Sequence, residues 1–193
     1  MDALNRTSIV IRIPVDLQAA LTDVQNQIRK RAGADLVRWT PASELVFTIV
    51  TLGEIGVGQI AQLGATLGSV VSGFPAMHLS LDGLGGSPNN LQPRFLWVGV
   101  GGDLATLETL NQALERAVAP ILPHHEVRSL QAHVPIGRIK QESESNRSAL
   151  GRALRMAQIE HIGAFSVPSI ELARMATTSA GPTLVAIQTF PLS

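Results

Sequence analysis

The 193-residue sequence predicts an α+β fold: a bilobal, duplicated plan in which two antiparallel-type sheets line a central cleft and helices cover the outer faces. Three observations predict it. Hydrophobic residues make up 45% of the chain, enough to bury the core of a single bilobal domain over residues 1–193. Strand-like and helix-like patterns alternate along the chain. Finally, the pattern of the first half recurs 87 positions later.

The recurrence holds for three segments without a gap. The aligned pairs are 9–13 with 96–100, Asp16-Leu17 with Asp103-Leu104, and 45–49 with 132–136. Chance could supply one such match, whereas three in a single register indicate a repeat. The lobe-forming repeats therefore lie around residues 8–53 and 95–140, and the remaining segments complete the sheets and helices.

The first repeat has the pattern strand, helix, strand. β-Branched residues predict strands at 8–13 and 44–52. Between them, Asp16 is expected to cap a helix that Gly33 ends. The apolar stripe of this helix consists of Leu17, Leu21, Val24 and Ile28. The stretch 52–74 contains polar side chains and helically spaced apolar residues, so it predicts a buried amphipathic helix rather than a membrane span.

The second repeat has the same pattern. Strands are predicted at 95–100 and 131–139, and Asp103 is expected to cap the helix between them, which Pro120 ends. A strand at 76–82 and a glycine-rich turn at 83–88 connect the repeats. The C-terminal part is predicted to contain a loop at 141–146, a helix at 148–158, strands at 162–167, 170–173 and 183–189, and a turn over 179–182.

The balance of charge limits the kind of partner. The chain has 15 basic and 15 acidic side chains, which argues against a broad nucleic-acid or membrane-surface patch but allows a small pocket for one phosphate. It has no cysteine, which excludes disulfides, thiolate catalysis and cysteine-ligated metals. No targeting segment is recognisable, and a cytoplasmic location is predicted.

The alternation of side chains along the strands predicts which residues face the cleft. Residues i and i+2 of a strand share a face, and the apolar set of each strand is assigned to the core. The opposite faces then hold Arg12, Val46, Thr48, Trp97, His133 and Pro135. Arg12 could clamp a phosphate and Trp97 could stack on a base, or they could be a surface arginine and a tryptophan that fills the lobe interface.

Four segments, taken in order, carry a family resemblance. Trp39-Thr40-Pro41 followed by ELVFTIVTLGEIG resembles W-x-P…N-L-H-x-T-x-x-x-L-G-E, and QAHVPIGRIK (131–140) resembles P-H-x-T-x-x-R. RFLWVGVGGD (94–103) resembles the strand–helix junction that opens the second half of the same family's proteins. GPTLVAIQTFPL (181–192) resembles the last strand of those proteins. The chain thus resembles, over nearly its whole length, the two-histidine phosphoesterase superfamily in its 2'-5' RNA ligase and RNA 2',3'-cyclic phosphodiesterase branch.

The resemblance implies a bilobal fold in which each lobe supplies one His-x-Thr or His-x-Ser motif to the cleft. One imidazole acts as general base and the other as general acid on a 2',3'-cyclic phosphate, while the hydroxyls hold the phosphate oxygens. It implies no metal and no cofactor. The implied partner is a nucleotide, an RNA end or a phosphorylated small molecule.

The sequence departs from both motifs. Val46 stands where the first motif has its histidine, although Thr48 keeps the hydroxyl, and Pro135 stands where the second has its threonine, although His133 keeps the imidazole. Valine transfers no proton, and proline offers neither a hydroxyl nor a backbone N–H. We therefore expect weak or absent hydrolysis of cyclic phosphates, with His133 and Thr48 as the remaining catalytic residues and Arg12 and Trp97 as ligand-binding residues.

Three functions stay open on the sequence. The chain could bind a nucleotide or phosphorylated ligand without hydrolysing it, could use His133 alone as an acid or base on a different substrate, or could be a structural or partner-binding domain with a vestigial cleft. The other histidines lie outside the signature positions. His124, His125 and His161 are expected in loops, and His78 on a strand whose alternate residues are Ser80 and Asp82.

Overall fold

The computed structural model describes residues 6–33, 35–157, 159–178 and 181–193. A short 3₁₀ turn at Ala42–Glu44 precedes the third strand. The elements in chain order are β1 (Arg6–Arg12), α1 (Val15–Ala32), β2 (Val37–Trp39), β3 (Val46–Glu54), α2 (Val57–Val71), β4 (Met77–Ser87), β5 (Phe95–Gly102), α3 (Leu104–Val118), β6 (His133–Ile139), α4 (Glu144–Ala157), β7 (His161–Val167), β8 (Ser169–Thr178) and β9 (Gly181–Pro191).

The strands form two antiparallel sheets. The four-stranded sheet has the order β3-β1-β8-β9 and combines strands from the two ends of the chain. The five-stranded sheet has the order β2-β6-β5-β4-β7 and collects the strands between them. The predicted α+β class with two antiparallel sheets is confirmed.

The helix of each repeat packs against the sheet of the other repeat. α1 follows β1 of the four-stranded sheet, yet it contacts β6 and β7 of the five-stranded sheet. α3 follows β5, yet it contacts β3 and α2 in addition to β4 of its own sheet. Two buried amides mark the exchange: Gln25 in α1 donates to the Ile136 carbonyl at 2.9 Å, and Asn111 in α3 donates to the Ile49 carbonyl at 2.9 Å. Ile49 and Ile136 are equivalent positions of the two repeats.

The core lies between each sheet and the helices that cover it. The residues that alternation assigned to the core are buried, because side chains two apart on a strand point to the same face. On the strands of the two repeats they are Ile9, Ile11, Phe47, Ile49, Leu96, Val98, Val100, Val134 and Ile136. On the opposite faces Thr48, Trp97 and His133 are more exposed, whereas Val10 and Val46 are buried in a small cluster of their own. The sheet faces predicted from the sequence are therefore correct.

The predicted turn at 83–88 is wrong, because β4 continues through it to Ser87. A register shift between Asp82 and Leu84 places Gly83 in a bulge with φ of +67°, a backbone region that glycine tolerates without strain. The strand then passes through Gly85 and Gly86, where neighbouring side chains come too close for a Cβ. Here glycine serves close packing within a strand rather than a chain reversal.

Smaller differences affect the ends of elements. The three-residue strand β2 was not predicted, and α4 begins at Glu144, inside the predicted loop. Asp16 lies within the first turn of α1, which starts after Pro14, so Asp16 is not its cap. Asp103 does occupy the N-cap position of α3, but its carboxylate accepts a hydrogen bond from the backbone N–H of His78 at 2.8 Å. Ser179 and Ala180 of the predicted turn lie outside the described residues.

The stretch predicted as a buried amphipathic helix forms the end of β3 followed by α2. Leu63, Leu67 and Val71 are buried on one side of α2, which packs against β9. In the part of the chain that the structure describes, no helix is long and apolar enough to cross a membrane.

Candidate active site

The strands that carry the two signature segments meet at one cavity. β3 and β6 contact each other although they belong to different sheets. Thr48 from β3 and His133 and Pro135 from β6 line a cavity of about 200 Å³, to which Glu115 and Glu126 also contribute. Residues from both repeats, predicted to share a cleft, therefore share a cavity.

His133 is held by an aromatic neighbour. Its ring stacks on that of Trp97, with 5.3 Å between the ring centroids and 25° between the planes. The Trp97 indole N–H donates to the Ser87 hydroxyl at 3.1 Å, and the far edge of the indole lies over Gly85. Trp97 was predicted to bind a ligand, and in the structure its ring stacks on the imidazole of His133.

Gly85→Ala is expected to displace the Trp97 indole, because an added Cβ would lie 2.2 Å from its ring. Overpacking of this kind lowers the free energy of unfolding by about 1–3 kcal/mol. The ring protons of His133 should also shift in NMR spectra as the stacking is lost. The matched control is Gly58→Ala in α2, where an added Cβ meets no atom within 4 Å. If both variants unfold alike and His133 keeps its chemical shifts, the assigned contact is wrong.

Burial lowers the pKa of His133 below its ordinary value of 6.5. The neutral imidazole, which can accept a proton, is therefore the form present at neutral pH. A general acid would have to be protonated at that pH. The environment of His133 thus favours the role of general base.

The same shift predicts a dependence of stability on pH. The unfolded chain binds a proton at His133 near pH 6.5, before the folded chain does, so this site favours unfolding as the pH falls below that value and through the folded pKa. In urea unfolding at about pH 7.5 and about pH 5, His133→Gln should lose less stability in acid than the parent chain. The exposed His124→Gln is the control. An equal acid loss in the parent and His133→Gln chains would contradict the lowered pKa.

The position that matches the first motif's histidine is apolar. Val46 is 8% exposed and packs with Val10, Ala173 and Leu184 in a small cluster separate from the main core. Val10 pairs with Thr48 and Glu171 on the neighbouring strands, so the cluster lies on the same face of the sheet as Thr48. The four-stranded sheet therefore presents an apolar surface next to the Thr48 hydroxyl.

Arg12, predicted to clamp a ligand, is paired within the protein. Its guanidinium donates to both carboxylate oxygens of Glu171, with Nε at 3.0 and 3.1 Å and Nη2 at 2.6 Å. The hydrogen bonds to Glu171 raise the pKa of Arg12 further. Because Glu171 neutralises Arg12, a ligand anion would have to share or displace that carboxylate.

A second polar cluster, which sequence reasoning missed, lies on the open face of the five-stranded sheet. His161 starts β7 rather than lying in a loop, and its Nδ1 is 2.5 Å from Oδ1 of Asp82 on β4. The Ser80 hydroxyl donates to Oδ2 of the same carboxylate. The hydrogen bond from Ser80 and, to a lesser extent, the one with His161 lower the pKa of the Asp82 carboxyl below its ordinary value. The alternation of Ser80 and Asp82 was visible in the sequence, whereas their contact with His161 depends on strand pairing.

His125 lies in the loop after α3, as predicted from the sequence. Its side chain is only 4% exposed, however, and its Nε2 lies 2.6 Å from Oε2 of Glu115. Glu115 borders the cavity with His133 and a neighbouring cavity of about 580 Å³ along α3. The pair anchors the segment after α3 beside the candidate site.

Comparison with known proteins gives relatives of one kind, although no family model matches the chain. An RNA 2',3'-cyclic phosphodiesterase of Aeropyrum pernix is 32% identical over 135 residues, which cover 70% of this chain and 74% of the relative. An RNA 2',3'-cyclic phosphodiesterase of Archaeoglobus fulgidus is 24% identical over 171 residues, covering 88% and 93%.

Solved structures share the fold over its whole extent. E. coli LigT in complex with 3'-AMP superimposes with a TM-score of 0.77 at 17% identity, covering 98% of this chain and 99% of that one. A Thermus thermophilus protein gives a TM-score of 0.76 at 18% identity and covers 97% of both chains. The sequence relationship and the shared fold agree, and the chain belongs to the two-histidine phosphoesterases, in the branch of the RNA 2',3'-cyclic phosphodiesterases.

Proposed function

We propose that this protein binds a nucleotide or the phosphorylated end of an RNA in the cavity of Thr48 and His133, and that it hydrolyses cyclic phosphates slowly or not at all. The observation that carries the proposal is the set of residues lining the cavity. His133 is the one histidine among the lining residues that the structure describes. Val46 stands where the resemblance places the second histidine. The protein is on this proposal a family member that retains binding and has lost most of its catalysis.

The chemistry of ring opening supports the proposal. Hydrolysis of a 2',3'-cyclic phosphate removes a proton from water and gives one to the leaving 2' or 3' oxygen. A neutral His133 supplies the first transfer, and the Thr48 hydroxyl can donate a hydrogen bond to a phosphate oxygen. The loss of one acid or base group lowers a rate by about 10²–10⁴-fold. Pro135 removes the second hydroxyl as well.

The ligands of structural neighbours support the binding part. E. coli LigT has been solved with 3'-AMP, with phosphate, with NADP⁺ and with ATP. A cavity of about 200 Å³ next to Thr48 is smaller than the pockets that hold drug-sized ligands, so it fits the phosphate and part of the ribose rather than a whole nucleotide. We therefore assign the phosphate end of the ligand to this cavity. The cytoplasmic location expected from the sequence stays a prediction.

Calorimetric titration with 3'-AMP and with 2',3'-cyclic AMP tests the proposal. We expect both to bind to the parent chain and His133→Ala to weaken binding at least about 10-fold, the size of one lost charge-assisted hydrogen bond. His124→Ala, which removes an exposed histidine outside the cavity, is the matched control. No binding of either nucleotide to the folded parent chain would reject the proposal and favour a structural or partner-binding role.

A second candidate function is hydrolysis of a different substrate with His133 as general base. The observation that favours it is the lowered pKa of His133 together with two carboxylates, Glu115 and Glu126, lining the same cavity. An activity of this kind should rise with pH through the lowered pKa of His133 and disappear in His133→Ala. A flat pH profile would exclude it.

A further inference from the structure

The ion pair of Arg12 and Glu171 stands on the face of the four-stranded sheet that carries Thr48. Val10 on β1 lies between Glu171 on β8 and Thr48 on β3, and it is the direct cross-strand partner of both. Direct partners on neighbouring antiparallel strands share a face. Arg12 follows Val10 by two residues and projects from the same face. The arginine therefore has a carboxylate on one side and the hydroxyl of the candidate site on the other.

Arg12 is placed to reach either of these two neighbours. Glu171 and Thr48 are both diagonal to Arg12, because each pairs with the residue two positions before it. Diagonal neighbours in a sheet are about 7–8 Å apart, which a long side chain can span. In the structure the guanidinium is turned towards Glu171, to which it donates hydrogen bonds of 2.6, 3.0 and 3.1 Å. Rotation about its side-chain bonds would turn it towards an anion held by Thr48.

The surroundings of the pair are apolar, so the guanidinium needs an anionic partner. Val46 is the direct partner of Arg12 and is 8% exposed, Val10 is 1% exposed, and the side chain of Glu171 is 15% exposed. Attraction between opposite charges is screened less at such a surface than in bulk water, and an unpaired charge there is costly. A ligand therefore gains Arg12 only if it attracts the guanidinium more strongly than Glu171 does.

The charge of the ligand's phosphate decides this competition. A terminal phosphate monoester carries close to two negative charges at neutral pH, because its second pKa is about 6. A 2',3'-cyclic phosphate is a diester with a single negative charge, like the carboxylate of Glu171. Arginine binds phosphate and carboxylate groups in the same two-pronged geometry. At equal geometry the monoester attracts Arg12 more strongly than Glu171 does, whereas the cyclic diester has no such advantage.

We propose that Arg12 and Glu171 form a charge-selective switch, in which a phosphate monoester draws Arg12 away from Glu171 and a cyclic phosphodiester leaves the pair in place. The inference rests on the proposed function, because the phosphate is assigned to the cavity of Thr48 and His133. It adds that terminal phosphate monoesters are held more tightly than cyclic phosphates. It also assigns the selection to Glu171, a residue of β8 outside both signature segments.

Calorimetric titration with 3'-AMP and with 2',3'-cyclic AMP tests the switch. We expect the parent chain to bind 3'-AMP about 10-fold more tightly, the size of one additional charge-assisted contact. Arg12→Gln should reduce this preference to about 2-fold or less, because the additional contact is lost. Glu171→Gln frees the guanidinium and should strengthen 3'-AMP binding about 10-fold. Arg12→Gln combined with Glu171→Gln should lose that gain, because it acts through Arg12.

Two variants with the same changes of charge are the matched controls. Arg174→Gln removes an exposed cation of β8 three residues after Glu171, on the opposite face, and Glu54→Gln removes an exposed carboxylate at the far end of β3. Urea unfolding curves establish that each variant is folded. If the parent chain binds cyclic AMP as tightly as 3'-AMP, or if Glu54→Gln strengthens 3'-AMP binding as much as Glu171→Gln does, this inference is wrong while the proposed function stands.

A second measurement does not depend on a nucleoside. The Nε–H signal of Arg12, identified in NMR spectra by its loss in Arg12→Gln, should shift on addition of inorganic phosphate but not of dimethyl phosphate, a diester with one negative charge. Equal shifts with both anions would contradict the inference. If inorganic phosphate shifts the signal and neither nucleotide binds, the inference stands and the assignment of a nucleotide to the cavity fails. Absence of any shift and of nucleotide binding overturns both.

Discussion

Val46→His combined with Pro135→Thr is expected to raise the rate of 2',3'-cyclic AMP hydrolysis by about 10²–10⁴-fold. The two substitutions restore the residue types that the family resemblance implies, next to the Thr48 and His133 side chains that are present already. The new imidazole would stand on the face of the four-stranded sheet that carries Thr48, and the new hydroxyl on the strand that carries His133. Chromatographic separation of cyclic and opened nucleotides measures the rate.

Two further variants serve as controls for this result. Pro135→Thr alone should give a small gain, because it supplies a hydroxyl but no second proton-transfer group. Thr48→Val in the doubly substituted chain should remove much of the gain by deleting a phosphate contact. Because Val46 is only 8% exposed, a urea unfolding curve must establish that the doubly substituted chain folds. A folded chain with no gain in rate would show that the motifs were aligned incorrectly or that the two strands do not share a site.

Phe47→Ala is expected to lower the free energy of unfolding by about 3–5 kcal/mol. Phe47 is 0% exposed and lies between Val46 and Thr48 in sequence, with its ring on the core face of β3. The substitution removes a large buried side chain and leaves a cavity that the surrounding sheet fills only in part. Unfolding in urea followed by circular dichroism measures the loss.

Phe95→Ala is the control, because it removes a phenylalanine side chain from the surface instead of from the core. Phe95 is 42% exposed, and its substitution should change stability by no more than about 0.5 kcal/mol, as is usual for surface positions. The two variants thus compare the loss of a buried phenylalanine with the loss of an exposed one. A loss below about 1 kcal/mol in Phe47→Ala would contradict the assignment of the inner face of β3.

The faces of the strands could be predicted from the sequence because alternation is a local property. Ile9, Ile11 and Phe47 are buried as expected, and Thr48 and His133 lie on the opposite faces. The meeting of Thr48, His133 and Pro135 also followed, since the repeat implied that β3 and β6 occupy equivalent positions. The roles assigned to these residues, and the organisation of the chain as one domain with repeats around 8–53 and 95–140, remain predictions.

The features that were missed depend on which strands become neighbours. Asp82 and His161 are far apart in sequence and meet because β4 pairs with β7. Arg12 meets Glu171 because β1 lies beside β8, and no local pattern indicated that pairing. The glycines of β4 misled the prediction because glycine is as typical of close packing within a sheet as of turns. Local patterns determine the faces, whereas ion pairs and bulges require knowledge of the sheet order.

The exchange of helices between the repeats has a mechanical consequence for the cleft. Gln25 ties α1 to the carbonyl of Ile136, next to Pro135, and Asn111 ties α3 to the carbonyl of Ile49, next to Thr48. The signature strand of each repeat is therefore hydrogen-bonded to the helix of the other repeat. A hinge that swung the two sheets apart would have to bend the short connections from β1 to α1 and from β5 to α3, because each helix is hydrogen-bonded to a strand of the other repeat. We therefore expect the distance between the two sheets to change little when a ligand binds.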